Sequence, residues 1–362
     1  MEILLRTTVG IDADPTSGPG GGRTVRRVRR RGSAVAVVLV LIGLLALPAC
    51  SSGDDRLTVY SGRTENLIGP LLEDFASETG IKIDVRYGQS DELALLLDEE
   101  GDQSPADVFI SQNPGAVGFL TERDRLQPLG DQVLDLVADD NKSSDGTWVG
   151  LSARVRVLVY NTEELSEAEL PDSVLDLTDP SYSGRVAVAP ANGSFQDFVS
   201  GMRAELGDDV AQDWLEGMAD NDSPVYANNT AIVEAVGRGE VPMGLVNHYY
   251  NYRALAEDPS APSANHSFVP GDIGNLLIDT AVSVLAASDR TEDADRLVEF
   301  LLGREAQEFF GSETFEYPLA AGVQADPALP PLADLDPYRI DLDALGAQLE
   351  RTRELIDQSG LE

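Results

Sequence analysis

The chain is 362 residues long, with 63 Asp and Glu against 26 Lys and Arg and a net charge of −37. So acidic a surface repels phosphate backbones and excludes nucleic acid as a natural partner. A single cysteine, Cys50, allows no internal disulfide and no cysteine-based metal site.

The first pattern along the chain is Arg26-Arg27-Val28-Arg29-Arg30-Arg31, followed by an apolar run over 34–47 that closes on Leu47-Pro48-Ala49-Cys50. The run has the length of a signal-peptide core and falls short of the roughly 20 residues that span a bilayer. A small residue before the only cysteine resembles a bacterial lipobox, in which the thiol is acylated. Residues 1–50 therefore read as a signal peptide and Cys50 as a lipidation site. An uncleaved anchor with an incidental cysteine is the alternative. Either way the rest of the chain is expected outside the cytoplasm, tethered to the outer face of the cell membrane. Residues 1–24 are rich in Gly, Pro, Thr and Asp without periodicity, and read as a start placed too early, with translation beginning near Val25. Beyond residue 50 there remain 312 residues, enough for two domains, carrying 19 basic and 60 acidic groups.

From Leu57 onward strands and helices alternate. Leu57-Thr58-Val59-Tyr60 reads as a buried strand, broken by Ser61-Gly62. Ile68, Leu71, Leu72 and Phe75 fall on one helical face that ends before Gly80. Ile81, Ile83 and Val85 alternate as a strand, Ser90 caps a helix burying Leu93, Leu96 and Leu97, and Asp107-Val108-Phe109-Ile110 is a third strand. This βαβαβ order predicts a mostly parallel sheet covered by helices. After a central segment over 154–161 a second series follows: strands at 186–189 and 243–246, and helices over 195–206, 210–218 and 232–236. An extended run over 280–286, a helix carrying Ala294, Leu297, Val298 and Leu301, a proline-rich tail and a last helix over 342–356 complete the chain. The expected architecture is α/β in two lobes with a ligand cleft between them.

Four segments occur in a telling order: Leu57-Thr58-Val59-Tyr60-Ser61-Gly62-Arg63, Pro105-Ala106-Asp107-Val108-Phe109, Val149-Gly150-Leu151-Ser152-Ala153-Arg154 and Val246-Asn247-His248-Tyr249-Tyr250. They resemble the ferric-ion-binding solute-binding proteins of bacterial ABC importers, the bacterial transferrins, over residues 57–317. The Tyr-Tyr element is the most specific of them. The resemblance implies a type II periplasmic-binding-protein fold with two crossing hinge strands, near 156–160 and 276–284. It implies one lobe from 56–156 with 277–318 and a second from 157–276 with 319–362. It further implies an ABC permease as partner, a monomer, and Fe3+ held with a synergistic anion, carbonate or phosphate.

Ferric iron is a small, hard cation that selects anionic oxygen. A tyrosine phenol, with a pKa near 10, ionises when a bound cation displaces its proton. Tyr249 and Tyr250 match the family's adjacent tyrosine ligands. Neighbours on a regular strand point to opposite faces, so both reach one ion only where the strand has ended, which places them in a turn after 243–246. Two family ligands have no counterpart here: the histidine near Tyr60 is replaced by Arg63-Thr64-Glu65, and the glutamate after Pro105–Phe109 by Gln112; Phe195 stands where some members carry a third tyrosine. The protein would then supply two phenolates, and exogenous anions or water the rest.

An anion cradle is legible beside them. Asn192-Gly193-Ser194 opens a helix whose free N–H groups and dipole attract anions, although ordinary capping explains the same triplet. The Arg63 guanidinium has the planar fork that grips carbonate or phosphate. Asn229 and Asn247 match family asparagines that bond the anion, with Gln112 and Arg154 as further contacts. His248 is expected beside the site without ligating, and His266 solvated in the loop over 259–265. No Ser-His-Asp order, carboxylate pair, phosphate loop or zinc spacing stands out, so the chain reads as a binding protein and not an enzyme. The alternative cargo for the same fold is a small anion, polyamine or organophosphate.

Overall fold

The structure, a computed structural model, describes residues 56–340 and 349–361. Cys50, the basic stretch and the apolar run lie outside these residues, as does the start of the predicted last helix.

In chain order, strand β1 (Arg56–Ser61) leads into helix α1 (Glu65–Thr79), which Gly80 ends at a left-handed φ of 74°. Strand β2 (Lys82–Tyr87), helix α2 (Ser90–Glu100), strand β3 (Val108–Ser111) and helix α3 (Pro114–Thr121) follow. Asn113 caps α3 by accepting the Ala116 N–H, and Pro114 stands at its first turn, where a missing donor costs nothing. Short β4 (Leu126–Gln127) and α4 (Asp131–Leu134) precede the long strand β5 (Trp148–Asn161). All 14 residues of β5 are buried, two arginines among them.

The second series holds β6 (Val186–Ala187), α5 (Gly193–Leu206), α6 (Asp208–Asp220), α7 (Asn229–Gly237), β7 (Met243–Asn247), α8 (His248–Glu257) and β8 (Ser263–His266). Strand β9 (Leu277–Leu285), helices α9 (Thr291–Leu301) and α10 (Arg304–Ser312), strand β10 (Tyr317–Pro318), short α11 (Leu332–Leu335) and α12 (Leu349–Ser359) end the described chain.

The strands join in the order β2-β1-β3-β9-β5-β7-β6. Two strands do the joining. The first part of β5, to Val155, pairs with β9; from Arg156 it pairs with β7, and further on with β8. Strand β9 in turn runs antiparallel between β5 and β3. Separate apolar cores form on the two sides. Leu57, Ile68, Phe75, Val108, Leu297 and Phe310 fill one; Leu158, Phe195, Phe198, Trp214, Met243 and Leu245 fill the other.

Two sequence expectations are revised. His266 is not solvated: β8 pairs with β5, and the ring is half-buried against Phe268 with Nε2 2.8 Å from the Pro171 carbonyl. Part of the tail grouped with the second lobe packs on the first, where Ala320 bridges to Val137 inside its core. The described part of the last helix, α12, lays Leu355 and Ile356 into the second core against α5 and α6.

Strand β9 also carries an electrostatic burden. Asp279 is fully buried opposite Ala153, and neither of its carboxylate oxygens has a hydrogen-bond partner. Burial pushes its pKa up to about 7, against the pull of Arg339 and then Arg154. The unfolded chain therefore binds fewer protons at this position than the folded one, and stability falls as pH rises from about 4 to 7. At pH 8 the cost is on the order of 4 kcal/mol. Asp279→Asn should melt several degrees above the wild type at pH 8, a gap that closes towards pH 4, as calorimetry across that range would show.

Candidate functional site

The site begins at the end of β7. This strand is buried throughout and delivers Asn247, whose extended backbone starts α8. Tyr249 and Tyr250 thus stand in the first turn of a helix and not in an irregular turn. Helical neighbours diverge by about 100° instead of the 180° of a strand. The two rings stack, with centroids 4.2 Å apart and planes at 27°. Both line a cleft of about 610 Å³. Tyr249 is buried, and its hydroxyl has no hydrogen-bond partner. Burial, then the neighbouring Tyr250 and Glu316, push its phenol well above the usual tyrosine range. At neutral pH it is therefore an un-ionised phenol.

The wall beside the tyrosines is the start of α5. Asn192 caps it, accepting the Ser194 N–H (3.1 Å) and the Ser194 hydroxyl (2.6 Å). Asn192, Gly193 and Ser194 all line the cleft, as do Asn247, Gln112 and Arg154. Asn229 does not. It is buried behind them, donating to Asn192 Oδ1 (3.2 Å) and Ser194 Oγ (3.1 Å), so it braces the cradle without facing an anion. On the other wall Gly62 leaves room for Ser90, whose Oγ would lie 1.9 Å from a Cβ at that position. The Ser90 hydroxyl accepts the Gln112 N–H at 2.9 Å and so fixes the loop after β3.

Arg63 is the principal correction. Its guanidinium is fully buried and grips the Glu316 carboxylate with Nη1 (3.2 Å) and Nη2 (2.8 Å), while Nη1 also donates to Thr280 Oγ1 (2.9 Å). The planar fork is real, but an internal carboxylate occupies it. Burial would raise the Glu316 pKa; the Arg63 guanidinium outweighs it and holds the carboxyl below its usual range.

Two functional candidates escaped the sequence reading. Arg156 follows Arg154 by two residues on β5, so both project from the same face. Arg154 donates to Thr280 Oγ1 (3.2 Å) and to the Gln112 carbonyl; Arg156 donates to Asn247 Oδ1 (3.2 Å) and Ser194 Oγ (3.4 Å). Nε and Nη2 of Arg156 are buried without partners. Burial and the adjacent Arg154 lower its pKa to about 9, against the pull of Tyr250. The available signal was the spacing of two arginines inside an otherwise apolar strand. The second is Asp197, on α5, which lines the cleft with Oδ2 buried and unpartnered. Burial, then Asp91, push its carboxyl well above the usual range, opposed by Arg154 and Arg156. Its signal was an acid beside Phe195, Phe198 and Val199 on the buried face of a helix.

Residues 103–341 match the family model for bacterial extracellular solute-binding proteins. The chain belongs to this family. A relative from Serratia marcescens named Fe(3+)-binding periplasmic protein is 33% identical over 86% of this chain and 92% of its own length. The major ferric iron-binding protein of Neisseria meningitidis serogroup A is 31% identical over 88% and 96%. Among solved structures, iron-bound HitA from Pseudomonas aeruginosa superposes with a TM-score of 0.81 at 35% identity, covering 84% of this chain and 99% of that one. The Trichodesmium protein solved with iron and citrate ligands superposes at 0.73 and 26% identity, over 85% and 100%.

The two joined halves of this solute-binding protein are thus the lobes of a type II periplasmic-binding-protein fold, with β5 and β9 as its crossing strands. No histidine or cysteine is among the described residues that line its cleft. Among the described residues no group of three or more His, Cys, Asp and Glu side chains gathers to hold a metal. His248 faces away from that role: its Nδ1 accepts the Val155 N–H at 3.1 Å and its ring stacks on Tyr317 at 5.0 Å. Burial lowers its pKa to about 4, so it remains neutral and structural at physiological pH.

Proposed function

We propose that this solute-binding protein carries ferric iron, together with a small anion, in the cleft between its lobes. It hands the ion to an ABC permease in the cytoplasmic membrane, acting as a monomer tethered at the outer face through Cys50. The observation that carries this reading is the stacked Tyr249–Tyr250 pair, two phenols opening on one cleft, one of them with an unpartnered hydroxyl. Hard trivalent iron prefers such oxygens. The iron-binding names of the Serratia and Neisseria relatives and the bound iron of HitA support the same cargo.

The charge balance explains the anion. Two phenolates leave one positive charge on the ion, and Arg154 and Arg156 add two more nearby. Carbonate or phosphate held by the α5 start and Arg154 would offset these charges and fill the coordination positions that a histidine and a glutamate would otherwise take. Gln112, Asn247 and Asp197 line the same cleft; the first two would bond the anion and a protonated Asp197 would donate to it.

Adding ferric citrate to the purified protein should produce a broad visible phenolate-to-iron band that saturates at one ion per chain. A protein that stays colourless favours the second reading, a small anion, polyamine or organophosphate as cargo. The partly unpaired arginines next to the α5 start favour the anionic members of that class.

A further inference from the structure

The cleft is spanned by an ion pair for which cargo chemistry has no use. Asp91 lies in the first turn of α2 and is only 6% exposed. Its Oδ1 accepts from Asn113 Nδ2 at 3.3 Å, within the same lobe. Its Oδ2 accepts from Arg353 Nη2 at 3.0 Å, across 262 residues of sequence. Arg353 belongs to α12, which packs on α5 and α6, and its Nε donates to Gln196 Oε1 of α5 at 3.2 Å. Helix α2 packs on α3 and β1. The pair therefore joins the core of one lobe to the core of the other, and Asp91 itself lines the cleft.

We infer that Arg353 on the C-terminal helix is a latch that holds the two lobes closed over the cleft by pairing with Asp91. The inference deepens the proposed function, on which its cargo-release part rests. With the pair made, the Asp91 charge is compensated in a place that water barely reaches. Without Arg353, the Asp91 carboxylate would stay buried with the Asn113 amide as its remaining hydrogen-bond partner. Opening the lobes rehydrates Asp91 and relieves that cost, so loss of the latch shifts the equilibrium towards the open form. The Arg353 side chain is 43% exposed, which keeps the effect moderate.

The test uses the full mature chain and three variants: Arg353→Met, Asp91→Asn, and the two combined. Iron release from protein loaded with ferric citrate, timed by a competing chelator, should be about tenfold faster in Arg353→Met. Asp91→Asn removes the charge while α12 stays intact, and should accelerate release similarly. In the Asp91→Asn background Arg353→Met should then add little, since the partner is already gone. Small-angle scattering of the iron-free proteins gives an arm that needs no cargo: both single variants should show a larger radius of gyration than the wild type. Equal radii and release rates across all four proteins would overturn the latch. So would a full Arg353→Met effect persisting in the Asp91→Asn background, which would assign Arg353 to the folding of α12 alone. A wild type that takes up no iron while the variants still expand would remove the cargo and keep the latch.

Discussion

Tyr249→Phe and Tyr250→Phe should each weaken ferric binding by more than about a hundredfold, because even residues that merely orient a metal's ligands cost ten- to a hundredfold. Phenylalanine keeps the ring and its stacking partner 4.2 Å away and removes only the ionisable oxygen. The variants should therefore fold as well as the wild type. Tyr249→Phe should even match or slightly exceed its melting temperature in the iron-free state, since the hydroxyl removed is buried and unpartnered. That combination, lost binding with undiminished stability, marks a residue kept for its cargo. Proton release gives an independent count. Iron binding to the wild type should liberate one proton from each phenol, and each single variant should liberate one fewer. A Tyr249→Phe protein that still turns red with ferric citrate would remove the phenolate pair from the mechanism.

The largest loss of stability is expected at Arg63→Met. This change leaves the Glu316 carboxylate, 1% exposed, with the hydroxyls of Ser152 and Thr314 as its hydrogen-bond partners and Arg154 as the nearby positive charge. Breaking a buried pair by removing one partner costs about 3–5 kcal/mol. The melting temperature should fall by on the order of ten degrees. The pH dependence gives the mechanism away. In the wild type the folded Glu316 pKa is depressed, so the pair's contribution is present above the unfolded glutamate range and is lost as pH falls through the folded value. In Arg63→Met only Arg154 and the Ser152 hydroxyl still oppose burial, so the loss of stability towards low pH seen in the wild type should shrink or reverse. Adding Glu316→Gln to the variant should restore much of the loss. Iron affinity per folded molecule should barely change, which separates this pair from an anion site.

The contrast between these residues shows what sequence could reveal. The parallel strands were visible because Leu57-Thr58-Val59-Tyr60 and Val108-Phe109-Ile110 are short apolar runs that breakers bound, and burial demands that pattern. The cleft's position followed from strand ends. Arg63 was misplaced for a physical reason: it follows the end of β1, where ligand-binding loops occur, while its partner lies 253 residues away and no spacing announces it. The helical start at His248 was hidden because His248-Tyr249-Tyr250-Asn251-Tyr252-Arg253 has no apolar periodicity to mark it. Asp197 and Arg156 were overlooked because each sits in an element whose other residues read as core. Charged groups there are costly, and cost of that kind is a useful sign of function.

The change of partner along β5 between Val155 and Arg156 has a mechanical consequence. One guanidinium, Arg154, is moored to β9 and to the loop after β3; the next, Arg156, is moored to the ends of β7 and α5. Two like charges thus straddle the pivot, one fastened to each moving body. Their repulsion is a standing load across the pivot, carried while the Asp91–Arg353 pair holds the lobes together. Under the proposed function, a negatively charged guest that touches both would lift that load, and the lobes would hold together more firmly with it than without it.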